Sequence, residues 1–175
     1  DLAYRGGWPL VAEIVSGARF GRNLVHGYRA LLVDPDLGGR VERVVVLGTA
    51  GAIDDEARLD TVYQIAAVTQ HDFSLPSPTI VPAGELLNVH VAVIATGDVF
   101  VQDDSQRAAI SARGATLVDM ESYAYAVVCE RLGVPLQLFK VPSDFADSST
   151  TQDEWDGVVV TKSRQLFDFV EKFLP

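Results

Sequence analysis

The sequence is poor in the residues from which several function classes are built. It has a single cysteine, Cys129, so no disulfide can form within the chain, and the usage fits a reducing compartment. Cys129 lies in an apolar helical pattern and reads as a small core residue. Cations are scarce: 14 Lys and Arg stand against 24 Asp and Glu, a formal net charge of -10. A chain this acidic repels phosphate backbones and anionic lipid, which argues against nucleic acid and membrane surfaces as partners but not against a small, nearly neutral ligand. No apolar run nears the ~18 residues needed to span a bilayer, and no signal-peptide pattern opens the chain. A cytoplasmic location is expected. His26, His71 and His90 are far apart, with no HxxxH or CxxC spacing, so no metal site is expected, and His71-Asp72 reads as a hydrogen-bonding pair in a loop. The chain also lacks GxGxxG, GxxxxGK[ST] and GxSxG. Those absences remove the dinucleotide fingerprint, the P-loop and the serine-hydrolase elbow, and no cofactor is expected.

What is present fits one globular α/β domain of 175 residues, 48% apolar and 22% charged. Residues 43–47 (RVVVL), 89–95 (VHVAVIA) and 135–141 (PLQLFKV) are continuous apolar runs, the pattern of strands buried on both faces. Residues 61–69 predict a further strand and 116–118 a short one. Helices are predicted over 21–33, 104–113, 119–132 and 161–174. The third has the clearest boundaries: Asp119 as N-cap, Glu121 in the first turn, then Gly133 and Pro135 past the end. Its apolar stripe reads as Met120, Ala124, Val127 and Val128. The last helix carries Leu166, Phe169, Val170 and Phe173 on one side.

Four short motifs share one placement, just past the carboxyl end of a predicted strand: Gly48-Thr49-Ala50-Gly51, Thr96-Gly97-Asp98-Val99-Phe100, Asp119-Met120-Glu121 and Ser143-Asp144. In α/β sheets that edge is where ligands bind. Each motif has two readings. The glycines permit either a tight turn or the close approach of a ligand. Glu121 either caps the first helical turn or accepts both hydroxyls of a ribose. Asp144 either closes an Asx turn or holds a proton for a leaving group. Phe100, next to Val101, is either core or a flat face for a heterocycle.

Taken together and in order, GTAG, TGDVF, VDMES, a helix, GVP, a strand and SDFAD resemble the purine nucleoside phosphorylase and nucleosidase superfamily. The likeness is greatest to its 5′-methylthioadenosine/S-adenosylhomocysteine nucleosidases. It runs from about Val41 to Asp147 and continues more weakly to the C-terminal helix. The resemblance implies a three-layer α/β/α sandwich around a mixed, twisted sheet, formed by residues 1–175 as one domain, and commonly a homodimer. It implies that Glu121 holds the ribose hydroxyls, Met120 packs on the sugar, and Asp144 protonates the purine as it leaves. By the same likeness Ser143 orients Asp144, Phe100 stacks on the base, Val101 gives it backbone contacts, and Thr49 lies near the nucleophile. The expected reaction is hydrolysis of the N-glycosidic bond of a purine ribonucleoside, such as methylthioadenosine or adenosylhomocysteine.

The chain also departs from the pattern. Family members open with a strand and an acidic stretch whose glutamate positions water. Residues 1–15 hold only Glu13, while residues 14–17 (IVSG) resemble the next strand and turn, so the missing segment is expected upstream of Asp1 or replaced. Met-Glu-Gly becomes Met120-Glu121-Ser122, and Lys140 stands where the family has Arg. A phosphorylase of the same superfamily is the first rival, and the arginine it would need is replaced by Val46, although Arg19 or Arg22 could substitute. The second rival is a nucleoside-binding protein with impaired catalysis. The loop 71–82, with Phe73, Leu75 and Ile80, is the expected dimer contact.

Overall fold

The computed structural model describes residues 43–73, 77–149 and 155–174. The helix expected over 21–33, the IVSG turn, Arg19 and Arg22 lie outside the described residues. Among the described residues five strands and three helices follow in order: β1 (Val44–Ala52), β2 (Tyr63–Gln70), β3 (Val91–Thr96), α1 (Asp104–Ser111), β4 (Leu117–Asp119), α2 (Ser122–Leu132), β5 (Leu136–Asp144) and α3 (Trp155–Phe173).

The sheet is mixed. β2, β3 and β4 run parallel to one another, β1 runs parallel to β5, and the two sets meet antiparallel. The five described strands close on themselves in the order β1-β4-β3-β2-β5. The length of β1 makes the closure possible. From Val44 to Gly51 it pairs with β5, with a register shift between Ala50 and Gly51, and Gly51 and Ala52 pair with β4 on the other side. At the other seam the start of β2 pairs with β5, Tyr63 opposite Lys140.

The strand interiors are the apolar runs of the sequence. Ile65, Val68, Ile94, Leu117, Leu136 and Leu138 are almost fully buried, each contributing about 1.5–3 kcal/mol relative to exposure. Helix α2 covers β2, β3 and β5. Its buried face is Ser122, Tyr123, Ala126 and Cys129, not the stripe through Met120, Ala124, Val127 and Val128. The helix begins at Ser122, which takes Met120 out of it, and its docking on β2, β3 and β5 turns the Tyr123-Ala126-Cys129 side inward. Gly133 ends α2 as expected, in the left-handed conformation at φ 64°, where its N–H bonds to the carbonyl of Glu130. Helix α3 seats Leu166 and Phe169 against the sheet, with Phe169 stacked between Phe139 and Phe173. A second apolar cluster, including Val101, Ile110, Val118 and Ala146, lies between α1 and the sheet. Ile80 belongs to the core rather than to an exposed contact loop: it is 3% exposed and bridges Val68, while Phe73 of the same loop is 55% exposed.

Candidate active site

The registers bring the ends of four strands together: Gly51 lies opposite both Val118 and Asp144, and Thr96 opposite Asp119. A cleft of about 520 Å³, counting its open mouth, forms at this junction. Strand β1 supplies Thr49, Ala50 and Gly51, and the segment after β3 supplies Val99, Phe100 and Val101. Strand β4 and the turn after it supply Val118, Asp119, Met120 and Glu121, and the end of β5 supplies Ser143, Asp144 and Ala146. All seven site residues expected from the sequence (Thr49, Phe100, Val101, Met120, Glu121, Ser143 and Asp144) line this one cleft.

The glycine motif is strand, not turn. Gly48 to Gly51 continues β1, and the glycines are needed for space. A Cβ at Gly51 would stand 2.7 Å from the Cβ of Ala146 and 3.3 Å from Asp144 Oδ1. A Cβ at Gly48 would stand 3.1 Å from Lys140 Nζ.

Asp144 is half-buried at the end of β5. Ser143 Oγ donates to its Oδ2 at 2.6 Å, and the Ala146 N–H donates to its Oδ1 at 2.8 Å. The Asx turn and the cleft position therefore coexist in one residue. Glu121 occupies the N-cap position of α2 but makes no side-chain capping bond. Its side chain is 41% exposed, with Oε2 3.9 Å from Lys140 Nζ. Burial pushes its carboxyl above the usual range, Lys140 pulls it back in part, and neighbouring Asp119 pushes it up again.

The cap expected of Asp119 is made from outside the helix. Its carboxylate accepts from Ser122 N at 3.2 Å and from Ser122 Oγ at 2.5 Å. It also accepts from Thr96 Oγ1 at 2.7 Å, and Lys140 Nζ lies 2.8 Å away. Burial alone would raise the Asp119 carboxyl, but Lys140 and these hydrogen bonds outweigh burial and hold it below the usual range. Sequence reasoning missed this pair as part of the site. The available signal was Lys140 itself, a lone cation inside the apolar run PLQLFKV, which needs a buried counter-charge.

The segment bearing Phe100 is held from the far side. Asp72 Oδ2 accepts from the N–H groups of Asp98 and Val99 at 2.5 and 3.3 Å, while His71 bonds through its backbone, its N–H donating to the Thr96 carbonyl at 3.1 Å and its carbonyl accepting from Arg113 Nη1 at 3.3 Å. His71 packs over Gly97, where a Cβ would come within 2.4 Å of its ring. Burial pushes the His71 imidazole down, toward its neutral form. Phe100 is 43% exposed at the mouth while Val101 is core, so the two readings divide between neighbours. Cys129 is buried, which raises its thiol to about 11. Among the described residues no three His, Cys, Asp or Glu side chains gather as metal ligands, and no helix is long and apolar enough to cross a membrane.

Comparison with known proteins adds to this geometry. The sequence profile of the Phosphorylase superfamily matches residues 81–175. A 5′-methylthioadenosine/S-adenosylhomocysteine nucleosidase of Arabidopsis thaliana is 30% identical over 138 residues, 71% of this chain and 52% of the relative. A shorter stretch of 48 residues, 27% of the chain, is 56% identical to 8% of a 2-succinyl-5-enolpyruvyl-6-hydroxy-3-cyclohexene-1-carboxylate synthase of Leifsonia xyli. The chain thus spans about half of the first relative and under a tenth of the second. In fold it is similar to the crystal structure of a Helicobacter pylori 5′-methylthioadenosine/S-adenosylhomocysteine nucleosidase, with TM-score 0.70, 22% identity, and coverage of 85% of this chain and 74% of that one.

Proposed function

The chain belongs to the Phosphorylase superfamily, and from that premise we propose that it hydrolyses the N-glycosidic bond of a purine ribonucleoside, such as methylthioadenosine or adenosylhomocysteine, releasing the free base. One observation carries the proposal: the described lining residues of the cleft include three carboxylates, Asp119, Glu121 and Asp144, and no cation, and of the three Asp119 is taken up by Lys140. The match to the synthase covers too little of that relative to bring its activity along.

The roles follow from where charge develops. As the bond breaks, the sugar becomes cationic and the base anionic. Asp144 delivers a proton to the departing base, a contribution of about 10²–10⁴-fold for a placed general acid. Ser143 orients its carboxyl through the 2.6 Å contact. Glu121 accepts the vicinal hydroxyls of the ribose, and its negative charge favours the cationic sugar. Phe100 stacks on the base, Val101 offers backbone contacts, and Met120 packs on the sugar. Thr49 lies near the attacking water.

Water is favoured over phosphate as nucleophile. Phosphate is a dianion that needs cationic and preferably bidentate partners. Val46, at the position where a phosphorylase would carry arginine, is buried in the core, and Lys140 is engaged by Asp119. The wider proposal includes a cytoplasmic homodimer, with Phe73 and Val81 of the loop 71–82 exposed for contact. It also includes the three-layer α/β/α arrangement around the closed sheet. The test is base release in phosphate-free buffer and in about 50 mM phosphate, well above typical KM values. Free base with free sugar in both buffers is expected. Strict dependence on phosphate, with sugar 1-phosphate as product, overturns hydrolysis.

A further inference from the structure

Directly after Asp144 the chain turns a corner that ordinary residues avoid. Ala146 has φ 48°, and among the described residues it is the one non-glycine with positive φ. Such a conformation persists where its surroundings over-determine it. Two of the constraints lie in the cleft: the Ala146 N–H bonds to Asp144 Oδ1, and its Cβ occupies the space that Gly51 leaves open. The other two reach in from α1. Asp104 Oδ1 accepts from Ser148 N at 3.3 Å, and Arg107 Nε donates to the carbonyl oxygen of Phe145 at 3.0 Å.

The second of these is the informative one. The Phe145 carbonyl and the Ala146 N–H belong to the same peptide unit. Arg107 therefore holds one end of that unit while the other end holds the Asp144 carboxylate. A cation, a peptide dipole and a carboxylate stand in series, an arrangement in which each hydrogen bond strengthens the next. The other arm of the guanidinium, Nη2, lies 2.7 Å from Asp55 Oδ1, which aims the fork. Asp55 is 90% exposed against 19% for Arg107, so this pair adds little strength of its own.

We propose that Arg107 is a positioning residue for Asp144: through the 145–146 peptide it fixes where the carboxylate points into the cleft. The inference rests on the reading of Asp144 as proton donor. Arg107 is not among the residues that line the cleft, so its loss acts on the donor's placement and leaves ligand contacts intact.

The test compares Arg107→Ala, Arg107→Gln and Arg107→Lys with the parent, by steady-state base release and by the NMR resonance of the Ala146 amide. In Arg107→Ala the Ala146 amide proton should move upfield as its bond to Asp144 loosens. Turnover should fall by about 10- to 10²-fold, the scale of a misplacement near 1 Å, while KM holds. Arg107→Lys, which can still donate to Phe145, should recover part of the turnover, and Arg107→Gln less. An unmoved Ala146 resonance, or a raised KM at parental turnover, overturns the proposal. Loss of the fold in all three variants also overturns it, because Arg107 would then be a stabilising residue. Should the parent release no base, hydrolysis fails as the proposed function. The Ala146 resonance then decides the positioning inference alone, unmoved against it and shifted in its favour.

Discussion

Asp119 and Glu121 stand two residues apart, border the same cleft and face the same cation, yet the structure treats them in opposite ways. Asp119 is buried, paired with Lys140 at 2.8 Å and bonded by Thr96 and Ser122. Glu121 lies 3.9 Å from the same ammonium, is 41% exposed, and uses neither carboxylate oxygen to cap the helix it opens. Burial raises both carboxyls, and only Asp119 has partners enough to reverse the shift. The contrast shows that depth does not assign a role. Of these two acids, the one buried against a cation and held by several donors serves the fold, and the one with more than a third of its side chain exposed at the cleft is placed to meet a ligand.

The largest expected effect comes from breaking the occupied member. Asp119→Ala takes away the near counter-charge of the buried Lys140 ammonium, leaving only Glu121 at 3.9 Å, and should cost about 3–5 kcal/mol, read from urea denaturation midpoints. Replacing both partners, Asp119→Asn with Lys140→Met, should recover most of that loss, since a neutral pair needs no solvation. Parental stability in Asp119→Ala would dissolve the distinction between the two acids.

This pair also marks how far the sequence could be read. The strands were legible because continuous β-branched runs have few alternatives, and the cleft was legible because its residues follow strand ends. The closure of the sheet was not, because it depends on which strands meet at the two seams, and local composition carries no record of that. The continuation of β1 through Gly48-Thr49-Ala50-Gly51 was hidden by glycines that usually signal a turn. The buried face of α2 runs through Ser122, Tyr123, Ala126 and Cys129, two of them polar-tipped residues that an apolar count passes over, because the docking of the helix on β2, β3 and β5 decides which side turns inward. Lys140 and Asp119 are far apart in sequence, and the fold alone makes them neighbours.

The next effect sharpens the comparison from the free member. Glu121→Gln should lower base release by at least about 10²-fold while shifting the denaturation midpoint little, the reverse of Asp119→Ala. A folded variant with parental turnover would remove Glu121 from the proposed site.

The smallest effect lies in pH. The folded state holds the Glu121 proton more tightly than the unfolded chain does. The associated stability is therefore present below the ordinary value of 4.5 and is lost as pH rises through the higher folded value. Asp119 runs the other way: its contribution is present above the ordinary value of 3.8 and is lost as pH falls through its lower folded value. Denaturation midpoints of the parent and Glu121→Gln from about pH 4 to pH 7, spanning the ordinary carboxylate range and above, separate the two. Glu121→Gln should gain on the parent as pH rises. A constant difference would contradict the direction given for Glu121.

The most direct measurement is release of free purine from methylthioadenosine by the parent chain and by Asp144→Asn, side by side in phosphate-free buffer. The parent should release base, and Asp144→Asn, folded and still able to bind the nucleoside, should do so at least about 10²-fold more slowly. Equal rates in the two proteins would contradict the account at its centre.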